Sequence, residues 1–131
     1  MTTDQSPFRK GIQEFNQQDF YACHDTLEAI WMEATEQDKR FYQGILQVAV
    51  ACYHLGNENR NGAVMLLGEG TKRLRDYLPD YEGIDVEQLL DQSLDLLTQL
   101  QQTPPNAIAA LQEKLNNGQV AYPKIVFLSN G

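Results

Sequence analysis

Between residues 20 and 53, apolar side chains recur at spacings of three and four, with one polar interruption, Thr35-Glu36-Gln37-Asp38. That is the period of an amphipathic helix, and it is incompatible with the two-residue alternation of a half-buried strand. The segment predicts two consecutive helices folded back on one another as an antiparallel hairpin, around which every other element has to pack. In the first, Phe20, Cys23, Leu27, Ile30 and Trp31 make the apolar side up to about Glu33, with Asp19 as the capping residue. In the second, Phe41, Tyr42, Ile45, Val48, Ala49, Cys52 and Tyr53 do so, with Asp38 as the cap and Gly56-Asn57 as the stop.

The flanking sequence supplies more helices. Phe8, Ile12 and Phe15 predict a short one stopped near Asn16-Gln17. After a turn at 56–60, Asn61 is placed to cap a helix through Val64, Leu67, Leu74 and Leu78 that ends at Pro79. Gly68 and Gly70 lie inside it, each costing about 1 kcal/mol relative to Ala, so the helix is either closely packed there or bent. Residues 79–83 read as loop. Asp85 with Gln88 resembles a capping box, opening a helix with Val86, Leu89, Leu90, Leu94, Leu97 and Leu100 on one side. Thr103 and Pro104 mark the cap and first turn of a last helix with Ile108, Leu111 and Leu115 inward, ended by Gly118. Residues 120–128, broken by Pro123, predict an extended tail laid over the body, with Ile125, Phe127 or both inserted into a groove of the same or a neighbouring subunit. The expected fold is all-α: a single compact bundle of five to six helices over residues 1–131, with a central antiparallel hairpin and an extended C-terminal tail.

Charge narrows the partners. The chain carries ten Lys and Arg against eighteen Asp and Glu, a net −8. No cation lies between Arg75 and Lys114, whereas eight acids do: Asp76, Asp80, Glu82, Asp85, Glu87, Asp91, Asp95 and Glu113. A nucleic acid would be repelled by such a surface, because its binding rests on phosphate neutralisation. No run approaches the roughly 18 apolar residues of a membrane span, and the first ten residues lack the apolar core of a signal peptide, so a cytoplasmic protein away from membranes is expected. Cys23 and Cys52 sit in helical patterns and read as buried thiols in a reducing compartment.

Two polar rows stand out within the apolar hairpin. His24, Glu28 and Trp31 share one helix face; Gln43, Gln47 and His54 share another. In a hairpin turning near residue 36, levels match where two residue numbers sum to about 72. His24 then meets Gln47 or Val48, Glu28 meets Gln43 or Gly44, and His54 lies roughly 9 Å further along at about 1.5 Å per residue. Unpaired buried polar groups cost about 1–3 kcal/mol, so the rows predict a buried hydrogen-bonded network of His24, Glu28, Gln43 and Gln47, walled by Trp31. Set beside known chemistries, these residues fall short. A His-Glu-x-x-His zinc helix needs His where Glu28 stands, and a di-iron Glu-x-x-His needs Glu where Tyr21 stands. There is no Gly-rich phosphate loop and no Gly-x-Ser-x-Gly, and Ser6, Ser93 and Ser129 have no His near them in sequence. No catalytic residue, cofactor or metal is assigned; a metal on His24, Glu28 and His54 would require His54 to reach back.

The pattern as a whole resembles a known family. Phe8-x-x-Gly11-Ile12, Phe15-Asn16, Asp19-Phe20-Tyr21, His24-Asp25-x-x-Glu28-x-x-Trp31, Gln43-Gly44-x-x-Gln47-x-Ala49 and His54 are similar, over about residues 8–97, to an all-helical family catalogued as domain of unknown function three-hundred-and-nine. Asp25 stands where that family more often has Glu. The resemblance implies a helical bundle and implies no activity; residues 103–131, the last helix and tail, lie outside it. The function expected is that of a non-enzymatic protein-interaction module, its partner another protein or a second copy. The alternative is a small-ligand or metal-binding enzyme built on His24, Glu28, Gln43 and Gln47.

Overall fold

Short polar side chains set most of the helix starts by accepting a hydrogen bond from a backbone N–H that no helical carbonyl can reach. In the computed structural model, which describes residues 6–128, Ser6 caps α1 (Pro7–Asn16), Asp19 caps α2 (Phe20–Glu33), Thr35 caps α3 (Glu36–Gly56), Asn59 caps α4 (Arg60–Leu74) and Asp85 caps α5 (Val86–Gln102). Ser129 lies outside the described residues. Two of the expected caps are displaced. In the polar run after α2, Thr35 already has extended backbone and takes the Asp38 N–H, so the cap lies three residues before Asp38 and the helix starts at Glu36. Asn59 likewise pre-empts Asn61 by accepting from Gly62. Thr103 closes α5 instead of opening the last helix: its N–H donates to the Leu100 carbonyl and its hydroxyl to the Gln99 carbonyl, and α6 (Ile108–Asn116) follows a 3-10 turn over Pro105–Ala107.

The helices pack largely in chain order, α1 on α2, α2 on α3, α3 on α4 and α4 on α5, which makes α3 the central element. Phe41, Ile45, Val48, Ala49, Cys52 and Leu55 of α3 are all buried in an apolar cluster that runs from Ile12 to Ile125. The glycines of α4 behave differently from each other. A Cβ at Gly70 would lie 2.9 Å from the Gly44 carbonyl oxygen and 3.0 Å from Val48 Cγ2, so α3 and α4 meet there backbone to backbone, while nothing lies within 4 Å of such an atom at Gly68. α4 stops at Leu74 instead of running to Leu78, and a 3-10 turn, Arg75–Tyr77, follows. Residues 79–83, expected as plain loop, contain the first strand of a tight antiparallel hairpin, β1 (Asp80–Tyr81) and β2 (Ile84–Asp85), turned by Gly83 at a φ of +80°.

The tail lies against this hairpin and α1. Phe127 bridges Ile84, the Asp85 N–H donates to the Val126 carbonyl at 2.9 Å, and the Leu128 N–H donates to Gly83 at 2.8 Å. Ile125 is buried in the cluster, and Phe127 is half-buried with its ring edge-on to Phe8 and under the Arg9 guanidinium, 4.1 Å from the ring centre. The Asn16 amide donates to the Ile125 carbonyl and accepts from its N–H, both at 2.8 Å. Among the described residues no helix is long and apolar enough to cross a membrane.

Candidate functional site

The buried stripe of α2 is Phe20, Cys23 and Leu27. His24 and Glu28 each follow a stripe residue by one position, about 100° further round the helix, and this offset places their row on the flank rather than in the interior. Glu28 is exposed and the His24 side chain is 37% exposed. The buried network does not form: among the described residues no hydrogen bond joins His24 or Glu28 to Gln43 or Gln47. His24 Nδ1 instead lies 3.3 Å from Asp25 Oδ1. Gln47 Oε1 accepts from Arg73, which also pairs with Glu69, both at 3.1 Å. His54 Nδ1 is 3.3 Å from the Asn59 amide. Gln43 is half-buried, as is Trp31, whose ring lies under the Lys39 ammonium at 4.9 Å. The Trp31 indole nitrogen is buried without a hydrogen-bond partner. The helix levels follow the sequence pattern, since the Trp31–Lys39 and Tyr21–Tyr53 contacts bracket the expected register.

What the row does border is an open groove. One recess of about 180 Å³ is walled by Phe20, Tyr21, His24, Val50, Tyr53 and His54. A second, about 160 Å³, shares His24 and Val50 and adds Leu46, Gln47 and Leu66 of α4. His24 and His54 therefore face one recess, and His24 and Gln47 the other; Glu28, Trp31 and Gln43 line neither. Tyr21 and Tyr53, 63% and 42% exposed, contact each other at the first recess with tilted rings, centres 5.9 Å apart. Tyr53 was expected on the core side, and its exposure corrects that placement. The exposed aromatic pair and Arg73 are the functional-looking residues that residue spacing alone did not single out. Only the neighbouring helix reveals them.

Two further groups bear on chemistry. His24, Asp25 and Glu28 each offer a donor atom, all within 4.8 Å of one another, so Asp25 takes the place that the metal reading had given to His54. The thiols are inert by comparison. Burial, helped by the nearby Glu14 and Asp19 carboxylates, pushes Cys23 up to about 12, and burial, with Cys23 close by, raises Cys52 as well. Neither is a thiolate nucleophile at neutral pH.

Residues 8–66 match the family described as Domain of unknown function (DUF309). The match spans α1, α2, α3 and part of α4, short of residue 97, and it contains all six residues His24, Glu28, Trp31, Gln43, Gln47 and His54. The chain is also similar to Uncharacterized protein YpuF of Bacillus subtilis (strain 168), with 36% identity over 58 residues covering 44% of this chain and 33% of that protein. The match thus spans about a third of that relative's length.

Proposed function

We propose that this protein is a non-enzymatic binding module, which receives one helical segment of a partner protein in the groove formed by α2, α3 and α4. The observation that carries the reading is the pair of adjoining recesses sharing His24 and Val50, whose largely apolar walls are open to solvent. From Tyr53 to Leu46 is seven residues of α3, roughly 10 Å at about 1.5 Å per residue. That is two turns, enough to seat three side chains of an incoming amphipathic helix at i, i+3 or i+4, and i+7. Charge chooses among such helices. Asp25 and Glu28 stand exposed beside His24, and the Arg73 guanidinium is already held by Gln47 and Glu69, so the groove favours a helix whose apolar stripe is flanked by Lys or Arg. The same acidic surface disfavours nucleic acid, and the two buried free thiols support a cytoplasmic setting.

The test uses a synthetic amphipathic helix of Leu and Lys, with a Leu and Glu helix of the same pattern as control, titrated by calorimetry. Binding of the Lys form alone is expected, with loss of at least tenfold in Val50→Glu. Equal binding of both peptides, or an unaffected Val50→Glu, overturns the reading. So does a dimer dissolved by the same substitution, which would make a second copy the occupant.

A second reading, a divalent metal on His24, Asp25 and Glu28, is favoured by the convergence of the three donor atoms within 4.8 Å. One imidazole with two carboxylates suits Zn²⁺ or Mn²⁺. Stoichiometric Zn²⁺ uptake that disappears in Glu28→Gln supports it, and no uptake by the wild-type protein refutes it.

A further inference from the structure

Beside the groove lies a larger recess, about 360 Å³, whose character is different because helix ends converge on it. Gly56 and Asn57, at the C-terminus of α3, and Asn116, the last residue of α6, are part of its wall. A helix C-terminus carries roughly half a negative elementary charge, spread over its last carbonyls. The third nearby end, that of α1, already attracts a cation of the chain itself: the Lys124 ammonium donates to the Asn16 carbonyl at 2.6 Å. Asp19 adds a full negative charge to the lining. The opposing positive pole is the N-terminus of α2, and the Asp19 carboxylate answers it by accepting from the Ala22 N–H. No Lys, Arg or His is among the lining residues. Besides Gln18 and Cys52, the rest of the lining is two aromatic pairs: Phe20 against Tyr122, ring centres 5.3 Å apart, and Tyr21 against Tyr53.

Negative potential beside aromatic side chains selects cations that shed water readily. Alkylammonium and guanidinium groups do so more easily than Na⁺, and they gain attraction to each ring face they approach. We propose that this recess binds an organic cation, an ammonium or guanidinium group, between Asp19, the C-terminal ends of α3 and α6, and the Tyr21–Tyr53 and Phe20–Tyr122 ring pairs. The inference stands on this recess alone and not on the groove reading, although the two cavities share Phe20, Tyr21 and Tyr53. The cation can therefore come from a free small amine or from a Lys or Arg of a segment lying in the groove.

The experiment is a backbone amide NMR titration of the full chain with n-butylammonium and tetramethylammonium chloride, against NaCl at matched ionic strength. Saturable shifts are expected at residues 19–21, 56–57 and 116. Tyr53→Leu should weaken binding about two- to fivefold, the size of one exposed cation–ring contact. Asp19→Asn should weaken it up to about fivefold while keeping the helix cap. Asn116→Lys should abolish it, since the tethered ammonium occupies the recess. Shifts reproduced by NaCl, or an Asn116→Lys protein that binds the amines like wild type, overturn the proposal. The Leu and Lys helix separates the sources: shifts at 56–57 that vanish when its lysines become Gln identify a partner's side chain, whereas saturation by the free amines alone identifies a small molecule. Peptide shifts at Val50 with no amine response at 56–57 would sink this site and leave the groove reading standing.

Discussion

α3 meets its two neighbours in opposite ways. Toward α4 the contact is made by backbone, with Gly70 against the Gly44 carbonyl and Leu74 packed over Gly44. Toward α2 the outer edge of the contact is made by large side chains, Tyr21 and Tyr53 at one level and Trp31 with Lys39 at another, and the groove opens beside the tyrosine pair. Small residues let helices close at the level where they meet; large ones at the margin stand beside a concavity. The polar motif residues lie in α2 and α3, within the stretch that matches the family, while Gly70 lies beyond it. The shared part of the sequence thus includes the open side, and the closed side is completed by residues outside the match.

This contrast can be broken by substitution. Leu74→Ala, at a fully buried position on the closed side, is expected to cost about 2–5 kcal/mol in denaturant melting. Gly70→Ala drives a methyl group into backbone and should cost about 1–3 kcal/mol, whereas Gly68→Ala, with open space around it, should stabilise by about 1 kcal/mol. Equal effects at the two glycines would remove the close approach as their explanation.

A smaller effect is tied to pH. The Tyr81 hydroxyl donates to Asp38 in the first turn of α3, and that bond raises the phenol to about 12 from its ordinary 10.0. The folded pKa exceeds the unfolded one, so the contribution is complete below pH 10 and is lost as pH rises from 10 to 12. Stability measured across that window should fall less steeply in Tyr81→Phe than in the wild type. Least of all, His24→Leu and Glu28→Gln on the open side should each change stability by no more than about 0.5 kcal/mol. A loss of 2 kcal/mol or more, roughly the cost of stranding buried partners, would return these residues to a structural network.

The helices were legible because periodicity and caps are local. The residues from 20 to 53 spelled out the hairpin, Asp19 and Asp85 announced their helices, and the register followed from the length of one turn. Thr35 and Asn59 were missed as caps because two eligible polar residues stood close together and backbone conformation decided between them. The site was only partly legible. Spacing establishes that His24, Glu28 and Trp31 share a row, but not which way the row points; the signal lay in the single-residue offset of His24 and Glu28 from the stripe Phe20, Cys23 and Leu27. The Gly70 contact and the aromatic recess depend on which helix arrives opposite, which no local pattern contains.

Asn16 has a consequence for the order of events during synthesis. Its amide treats residue 125 as a strand partner would, pairing with both its N–H and its carbonyl across 109 positions. A tail shifted by one residue would forfeit both bonds and, because alternate residues of an extended segment point to opposite sides, would turn Ile125 out of the core. α1 through α4 can assemble on contacts between neighbours as they are made, but the end of α1 keeps a hydrated amide until residue 125 has left the ribosome. An early helix thereby fixes the register of a late extended segment.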